Sequence, residues 1–390
     1  MPTDATASLQ VLANQRPAGQ LLKEQQLYAF QYDRVATSSD FVSLTMPVRT
    51  RSYEHQQLLP IFDMHLPEGY LLAVIQRHFS KIIGSDDLSI LNLLAPYIRG
   101  RLQYQQAQAN PQNQTDSIDF DTLLNPHENL FEELVERFAL SSAVSGVQPK
   151  VLAQVMDKAS LQLDSYIVKT WGEDYPQLAL NEYWCMKTVA AAGIPVPEFH
   201  LSADARFFII KRFDITTEGF LGFEDLGVLQ GKTSQDKYSG SYEQLAKSIQ
   251  SFVSPEHKAA AMQQFFKMMV LNTRLQNGDA HLKNFGLLYD RLSNIWLAPA
   301  YDIISTTAYI KNDSMALTLM GRRKWWPKKH LLEFGRQHCL LSLQQAENLY
   351  TQCENALSST AIELEEKLHM YSSSEQKNIL EHLMTLLRAT

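Results

Sequence analysis

The chain reads as an α+β protein of two lobes, a small β-rich N-terminal region and a larger, mainly helical C-terminal lobe. Short apolar runs separated by turn formers dominate the chain as far as Ser241, which is the pattern of strands. From Tyr242 onward apolar residues recur at three- and four-residue spacing over long stretches, which is the pattern of helices packed on one face. The 390 residues, 45% hydrophobic and 20% charged, suffice for one or two sizeable cores and exclude a disulfide-stapled miniature fold or a disordered chain.

Taken in order, residues 9–12, 27–30 and 41–44 are expected as strands, with turns at 17–19 and 38–40. Pro67-Glu68-Gly69 opens an expected helix over 70–79. Residues 103–117, rich in Gln and Asn with Pro111, read as an exposed linker. They separate a first subdomain, 1–102, from a β-rich part, 118–240, and a helical lobe, 241–390. Within the second part, 150–155 and 166–169 pair as strands turning at 158–160. A helix over 179–192 stops at Gly193 and Pro195. A hairpin from 199–201 and 207–211 turns at Ala203-Asp204. Two helices, 242–252 and 255–275, lead to a break at 277–281 and a short hairpin, 285–288 and 295–297. Two amphipathic helices, around 329–355 and 361–388, close the chain. Small β-rich lobe first, helical lobe second, is the order of a kinase-like fold.

Charge and cysteine usage narrow the function classes. Lys plus Arg total 35 against 42 for Asp plus Glu, a net charge of −7, so the chain lacks the overall basic field of a dedicated nucleic-acid binder. No apolar run approaches the ~20 residues of a membrane span, and residues 1–19 lack a signal-peptide pattern. Cys185, Cys339 and Cys353 are odd in number and far apart, which reads as reduced thiols in a cytoplasmic protein. Without Cys-x-x-Cys or His-x-x-x-His, a structural zinc site is not expected.

Asn277-Gly278-Asp279-Ala280-His281-Leu282-Lys283-Asn284-Phe285 carries the densest chemistry. Asp279 and Asn284 stand five residues apart, the separation of a catalytic-loop Asp and a metal-binding Asn in protein-kinase-type phosphoryl transfer. There the Asp accepts the proton of the attacking hydroxyl and the Asn holds Mg²⁺; a loop lets both oxygens converge. The spacing alone fits equally a polar turn in which Asp279 is a cap. Asp302, in Pro299-Ala300-Tyr301-Asp302-Ile303-Ile304, follows 18 residues after Asn284 and offers the carboxylate of a second metal position. The plainer reading is a strand-end Asp. Lys169 ends the apolar strand Tyr166-Ile167-Val168-Lys169, and Glu182 lies in the next helix. This is the Lys–Glu arrangement that clamps nucleotide phosphates, or else two solvated side chains. Upstream, residues 141–150 form a small-residue turn entering a strand, suited to backbone N–H contacts with phosphate but holding a single glycine, Gly146.

Together these strings resemble the HipA family of bacterial toxin kinases. The matching pieces are Ser145-Gly146-Val147-Gln148-Pro149-Lys150, Tyr166-Ile167-Val168-Lys169, Asn181-Glu182, Lys211-Arg212-Phe213-Asp214, Asp279-x-His281-x-Lys283-Asn284 and Tyr301-Asp302-Ile303-Ile304. The N-terminal part matches in residues 41–47, in Leu59-Pro60-Ile61-Phe62 and in Leu66-Pro67-Glu68-Gly69, so the resemblance covers most of the chain. It implies a two-lobed fold distantly related to eukaryotic-like and phosphoinositide kinases, using ATP and Mg²⁺. Asp279 would be the catalytic base, with Asn284 and Asp302 on the metal. Lys169, paired with Glu182, would hold phosphates, and Ser145, Gly146, Val147, Gln148, Pro149 and Lys150 would form the phosphate loop. Lys211, Arg212 and Phe213 would be the hinge against adenine, and His281, Leu282, Lys283 and Tyr301 would complete the nucleotide shell. The implied function is a serine/threonine-protein kinase toxin of a type II toxin–antitoxin system that arrests growth by phosphorylating a translation component such as an aminoacyl-tRNA synthetase. Its implied partner is a HipB-type helix-turn-helix antitoxin, through which alone it would reach DNA.

Two positions depart from the family pattern: Lys211 replaces a frequent hinge Glu, and Ala143 stands where many relatives carry an autophosphorylated Ser. Ser145 or Ser142 is then the candidate autophosphorylation site. Arg322-Arg323-Lys324-Trp325-Trp326-Pro327-Lys328-Lys329 reads as a patch able to touch nucleic acid by charge and stacking, or as a solvated segment. Gly231-Lys232-Thr233 lacks the spacing of a P-loop. A second class of function, a nucleotide-binding co-repressor module without kinase activity, is disfavoured by the intact trio of Asp279, Asn284 and Asp302. A small-molecule kinase ranks lower because the His follows the Asp in this loop.

Overall fold

The computed structural model describes residues 8–69, 72, 86–105, 117–138, 150–157 and 162–389. The N-terminal region is an antiparallel sheet of order β4-β3-β2-β1-β5, built from β1 (Ser8–Ala13), β2 (Arg16–Glu24), β3 (Leu27–Tyr32), β4 (Tyr53–His55) and β5 (Leu102–Gln105). Its apolar face, with Leu9, Val11 and Phe30, is covered by α1 (Pro60–Asp63) and α2 (Asp87–Leu94) through Phe62, Leu88 and Leu91. Residues 17–19 are not a turn but part of β2. The turn is Asn14-Gln15, both at positive φ (50° and 63°), a two-residue hairpin that matches strand twist. Gly19 is required by the crossing of β3, since a Cβ there would lie 2.2 Å from the Gln31 carbonyl oxygen.

Residues 41–44 are likewise not a strand. Ser38–Asp40 is a 3-10 turn whose Asp40 carboxylate accepts from the Thr37 N–H, and Ser43 makes one isolated bridge with Met46. Alternation of apolar residues misleads here because Val42 packs into the N-terminal core while Phe41 packs into the larger core, against Tyr289 at 5.4 Å. Gln103 and Gln105, expected in the linker, belong to β5 and pair with β1. The helix expected over 70–79 lies outside the described residues apart from Leu72, and the 158–160 turn lies outside them entirely.

The second sheet, of order β6-β7-β8-β10-β9, contains β6 (Ile118–Asp119), β7 (Lys150–Asp157), β8 (Gln162–Lys169), β9 (Phe199–Leu201) and β10 (Phe208–Lys211). One face carries Val151, Ala153, Tyr166, Val168 and Ile209, packed on α3 (Phe120–Leu124) and α4 (Leu130–Phe138). Period-two alternation sends Lys150, Leu152, Ile167 and Lys169 to the other face. Helix α5 (Leu178–Ala191) is apolar nearly all round, with Leu180, Trp184, Cys185 and Val189 buried, so it lies inside the molecule. Gly193, at φ 68°, ends it.

A hairpin of β11 (Ile215–Thr216) and β12 (Gly219–Phe220) precedes β13 (Gly222–Asp225), which joins β14 (Gly286–Arg291) and β15 (Asn294–Leu297) in a third sheet. Around it stand α6 (Leu226–Leu229), α7 (Tyr242–Phe252) and α8 (Pro255–Arg274). The C-terminal stretch forms three helices rather than two: α9 (Lys328–His338), α10 (Leu343–Lys367) and α11 (Ser374–Arg388). The apolar period runs on past residue 339, but Leu340 takes a left-handed φ of 59° and the Ser342–Gln345 capping box starts a new helix. Among the described residues no helix is long and apolar enough to cross a membrane.

Candidate active site

Alternation in β7 and β8 aims Lys150 and Lys169 at one cleft of about 830 Å³, a size suited to a nucleotide, and Glu182 of α5 is buried behind Lys169. Lys150 and Lys169 sit directly opposite each other in the sheet. The Lys169 ammonium lies 2.5 Å from Glu182 Oε1 and 2.7 Å from Asp302 Oδ1. Asp302 follows β15 at φ 60°, a strained geometry for a residue with a Cβ, and its second oxygen accepts from the Asn284 amide at 2.8 Å. Asn284 Oδ1 in turn accepts from the His281 N–H at 2.9 Å. Four elements distant in sequence thus converge on one polar chain.

The loop that presents Asp279 is fixed by its own asparagine and glycine. Asn277 Nδ2 donates to Asn272 Oδ1, and Asn277 Oδ1 accepts from the Asp279 N–H. The Gly278 N–H donates to Thr306 Oγ1, and a Cβ at Gly278 would collide with the Asp313 carboxylate. Asp279 Oδ1 accepts from the Tyr238 hydroxyl at 2.6 Å.

The electrostatics follow from one ammonium serving two carboxylates in a dry place. Burial opposes the Lys169 charge, but Asp302 and Glu182 outweigh it, and its pKa rises above the usual lysine range. Burial likewise opposes charge on Asp302, yet Lys169 and Lys150 hold it well below the usual carboxylate range. Glu182 is pushed up to about 7, first by burial and then by Asp302. Its Oε2 has no hydrogen-bond partner among the described residues, which fits the weaker claim on the shared ammonium. Burial raises Asp279, helped by Asp302 and opposed by the Tyr238 hydrogen bond. Burial lowers Lys150, against the pull of Asp302, and lowers His281 to about 3.

Most sequence-predicted residues meet here. Lys150, Lys169, Lys211, Arg212, Phe213, Asp279, His281, Lys283, Asn284, Tyr301 and Asp302 line the cleft. Phe213 stacks obliquely on Tyr301 with centroids 5.5 Å apart, giving an aromatic wall. The Lys211 ammonium is taken by Asp164 at 2.6 Å, and Arg212 by Asp214 at 2.5 Å. Leu282, expected in the nucleotide shell, does not line the cleft: it is fully buried, its methyls under Gly240. Ser145, Gly146, Val147, Gln148 and Pro149 lie outside the described residues. In the basic segment Trp326 is buried and Trp325 donates inward to the Asp313 carbonyl, so neither ring is presented for base stacking.

Two cleft residues escaped sequence reasoning. Glu68, from the N-terminal region, bridges Lys237 (2.9 Å) and Lys283 (2.5 Å). Its Leu-Pro-Glu-Gly string reads as a helix start and as part of the family resemblance, neither of which assigns Glu68 to the cleft. Tyr238 sat in a polar loop with no periodic signal at all.

The donor set suits a hard cation. Asp302 is kept ionised inside the cleft with the Asn284 amide one hydrogen bond away. Among the described residues no group of three His, Cys, Asp or Glu could hold a metal unaided. Mg²⁺ commonly takes one or two protein oxygens and the rest from phosphate and water, and the pair fits that habit.

A β-rich lobe and a helical lobe closing over a nucleotide-sized cleft define the class: a kinase-related two-lobed fold. Residues 9–105 match the model of the HipA N-terminal domain, and residues 142–361, more than half of the chain, match that of the HipA-like C-terminal domain. The chain belongs to the HipA family. Over 209 residues it is 32% identical to "Putative kinase Y4dM" of Sinorhizobium fredii, covering 48% of this chain and 50% of that one. Over 203 residues it is 32% identical to a "Putative kinase" of Haemophilus influenzae, covering 47% and 59%. It therefore spans little more than half the length of these relatives. HipA of Shewanella oneidensis MR-1, solved with HipB and operator DNA, has the same fold: TM-score 0.73, 18% identity, 97% of this chain and 95% of that one covered.

Proposed function

We propose that the chain is an ATP- and Mg²⁺-dependent serine/threonine-protein kinase and the toxin of a type II toxin–antitoxin pair. The observation that carries this is the convergence of Lys169, Glu182, Asp302, Asn284 and Asp279 on one cleft. Catalysis is then positioning plus charge stabilisation. Lys169, oriented by Glu182, holds nucleotide phosphates, helped by Lys150 and the loop of Ser145, Gly146, Val147, Gln148 and Pro149. The backbone from Lys211 through Phe213 receives adenine beside the Phe213–Tyr301 wall. Asp302 and Asn284 would hold Mg²⁺, which when bound screens the phosphate charge. Asp279 orients the acceptor hydroxyl and takes its proton. Ser145 is proposed as an autophosphorylation site.

Support for the biological role comes from family membership and from the Shewanella relative, which assembles with HipB and DNA. A helix-turn-helix antitoxin is the proposed partner, DNA contact is proposed only through it, and the proposed acceptor is a translation component such as an aminoacyl-tRNA synthetase. A cytoplasmic location agrees with three buried free cysteines.

The test is labelled phosphate transfer from ATP and Mg²⁺ to cell-lysate proteins, beside Asp279→Asn. The variant is expected to lose about 10²- to 10⁴-fold in rate with ATP binding and thermal stability retained. Undiminished transfer by the variant would remove Asp279 from the mechanism.

A further inference from the structure

We infer that Tyr238 is a site of phosphorylation by the protein itself: its hydroxyl stands in the acceptor position of the cleft and receives the γ-phosphoryl group of ATP within the same chain. This rests on the kinase reading above. A catalytic-loop Asp works by accepting a hydrogen bond from the hydroxyl about to attack. In this structure that hydrogen bond is made, at 2.6 Å, and its donor is Tyr238 Oη. The side chain is 40% exposed, yet its polar end is turned inward to the one carboxylate that would act as base.

The pose is held from several sides. The ring stands edge-on to His281 with centroids 5.2 Å apart, and the Lys237 ammonium lies 5.5 Å from its centre. Arg323 Nη2 donates to the Tyr238 carbonyl at 2.6 Å, and Lys237 is anchored by Glu68 at 2.9 Å. Tyr238, Asp279, Asn284 and Asp302 all line the same cavity. An acceptor so placed reacts as an intramolecular group, and effective molarities on the order of 10⁵–10⁸ M can override a preference for aliphatic hydroxyls.

The step balances. Tyr238 Oη bonds to the γ-phosphorus, the bond from that phosphorus to the β,γ-bridging oxygen breaks, ADP leaves, and the phenolic proton passes to Asp279. The product carries about −1.5 to −2 of charge beside an acidic side chain. Once Asp279 has released that proton to solvent, repulsion between its carboxylate and the new phosphate drives Tyr238 out of the acceptor position and opens it to a protein substrate.

The experiment uses the full chain, treated with phosphatase, repurified and incubated with ATP and Mg²⁺, followed by peptide mapping by mass spectrometry. Tyr238→Phe and Asp279→Asn are run in parallel, with melting curves to confirm folding. The expected result is phosphotyrosine at Tyr238, absent from both variants, with a rate constant unchanged over about a tenfold range of protein concentration. Label on other residues of the chain, or on lysate proteins added in a parallel incubation, with Tyr238 unmodified overturns the inference and leaves the kinase reading intact. A rate constant that climbs with concentration overturns transfer within one chain. No transfer to anything, with ATP still bound, overturns the kinase reading and this inference with it.

Discussion

Lys169 faces two carboxylates, Glu182 at 2.5 Å and Asp302 at 2.7 Å, with a single positive charge between them. Replacing it with Met leaves the fully buried Glu182 uncompensated and Asp302 to Lys150 and the Asn284 amide alone, a situation that costs about 3–5 kcal/mol. Denaturant unfolding of Lys169→Met should show that loss, and adding Glu182→Gln should restore part of it because one buried charge is gone. Full additivity of the two substitutions would mean that the side chains are not coupled. His65 offers a pH readout away from this cluster. Its Nδ1 lies 2.7 Å from the Tyr104 hydroxyl, which can donate only to a neutral ring, and burial followed by Arg212 lowers its pKa to about 4. The unfolded chain, with an ordinary value near 6.5, binds more protons between those limits. Stability from His65 is therefore complete above pH 6.5 and is lost as pH falls toward 4, by about 1–3 kcal/mol. Urea midpoints measured across that window should lose this slope in His65→Asn.

At the scale of elements, the join between the N-terminal region and the C-terminal body runs through β13. Glu224 is fully buried and accepts from Ser43 Oγ (2.6 Å), the Leu44 N–H (2.8 Å) and the Tyr289 hydroxyl (2.7 Å). One carboxylate thus ties the segment after β3 to β13 and β14. Glu224→Ala strands three buried donors at once, and unfolding should show a loss of about 2–4 kcal/mol. An effect under half a kcal/mol would show that water replaces the carboxylate without cost. The same clasp helps explain why residues 41–44 defeat strand logic: side chains rather than a neighbouring strand take their N–H groups, Glu224 that of Leu44, 180 positions away, and the Tyr32 hydroxyl that of Val42.

Across the whole molecule, Glu68 carries the N-terminal region into the cleft by bridging Lys237 and Lys283. Glu68→Lys would bring a third cation against those two. Melting temperature should fall, and the deficit should shrink between low salt and about 0.5 M salt as like charges are screened. A deficit independent of salt would mark a packing defect instead. The cleft is lined from both regions, by residues such as His65 and Glu68 as well as by the C-terminal part.

Periodicity by itself was enough for α5, α7 and α8, for β7, β8 and the hairpin of β9 with β10, since burial of one face leaves a direct mark on residue order, but it ran two C-terminal helices together across Leu340. Spacing and strand position also singled out Lys169, Asp279, Asn284 and Asp302, four residues that the fold brings to one cleft. Tertiary structure alone decided the rest. The Asn14-Gln15 turn depends on positive φ at residues that do not advertise it. Leu282 is core rather than cleft because Gly240 leaves room for it. Tyr238 and Glu68 reach the site through contacts 41 and 169 to 215 positions apart, and long-range proximity of that kind leaves no local pattern to read.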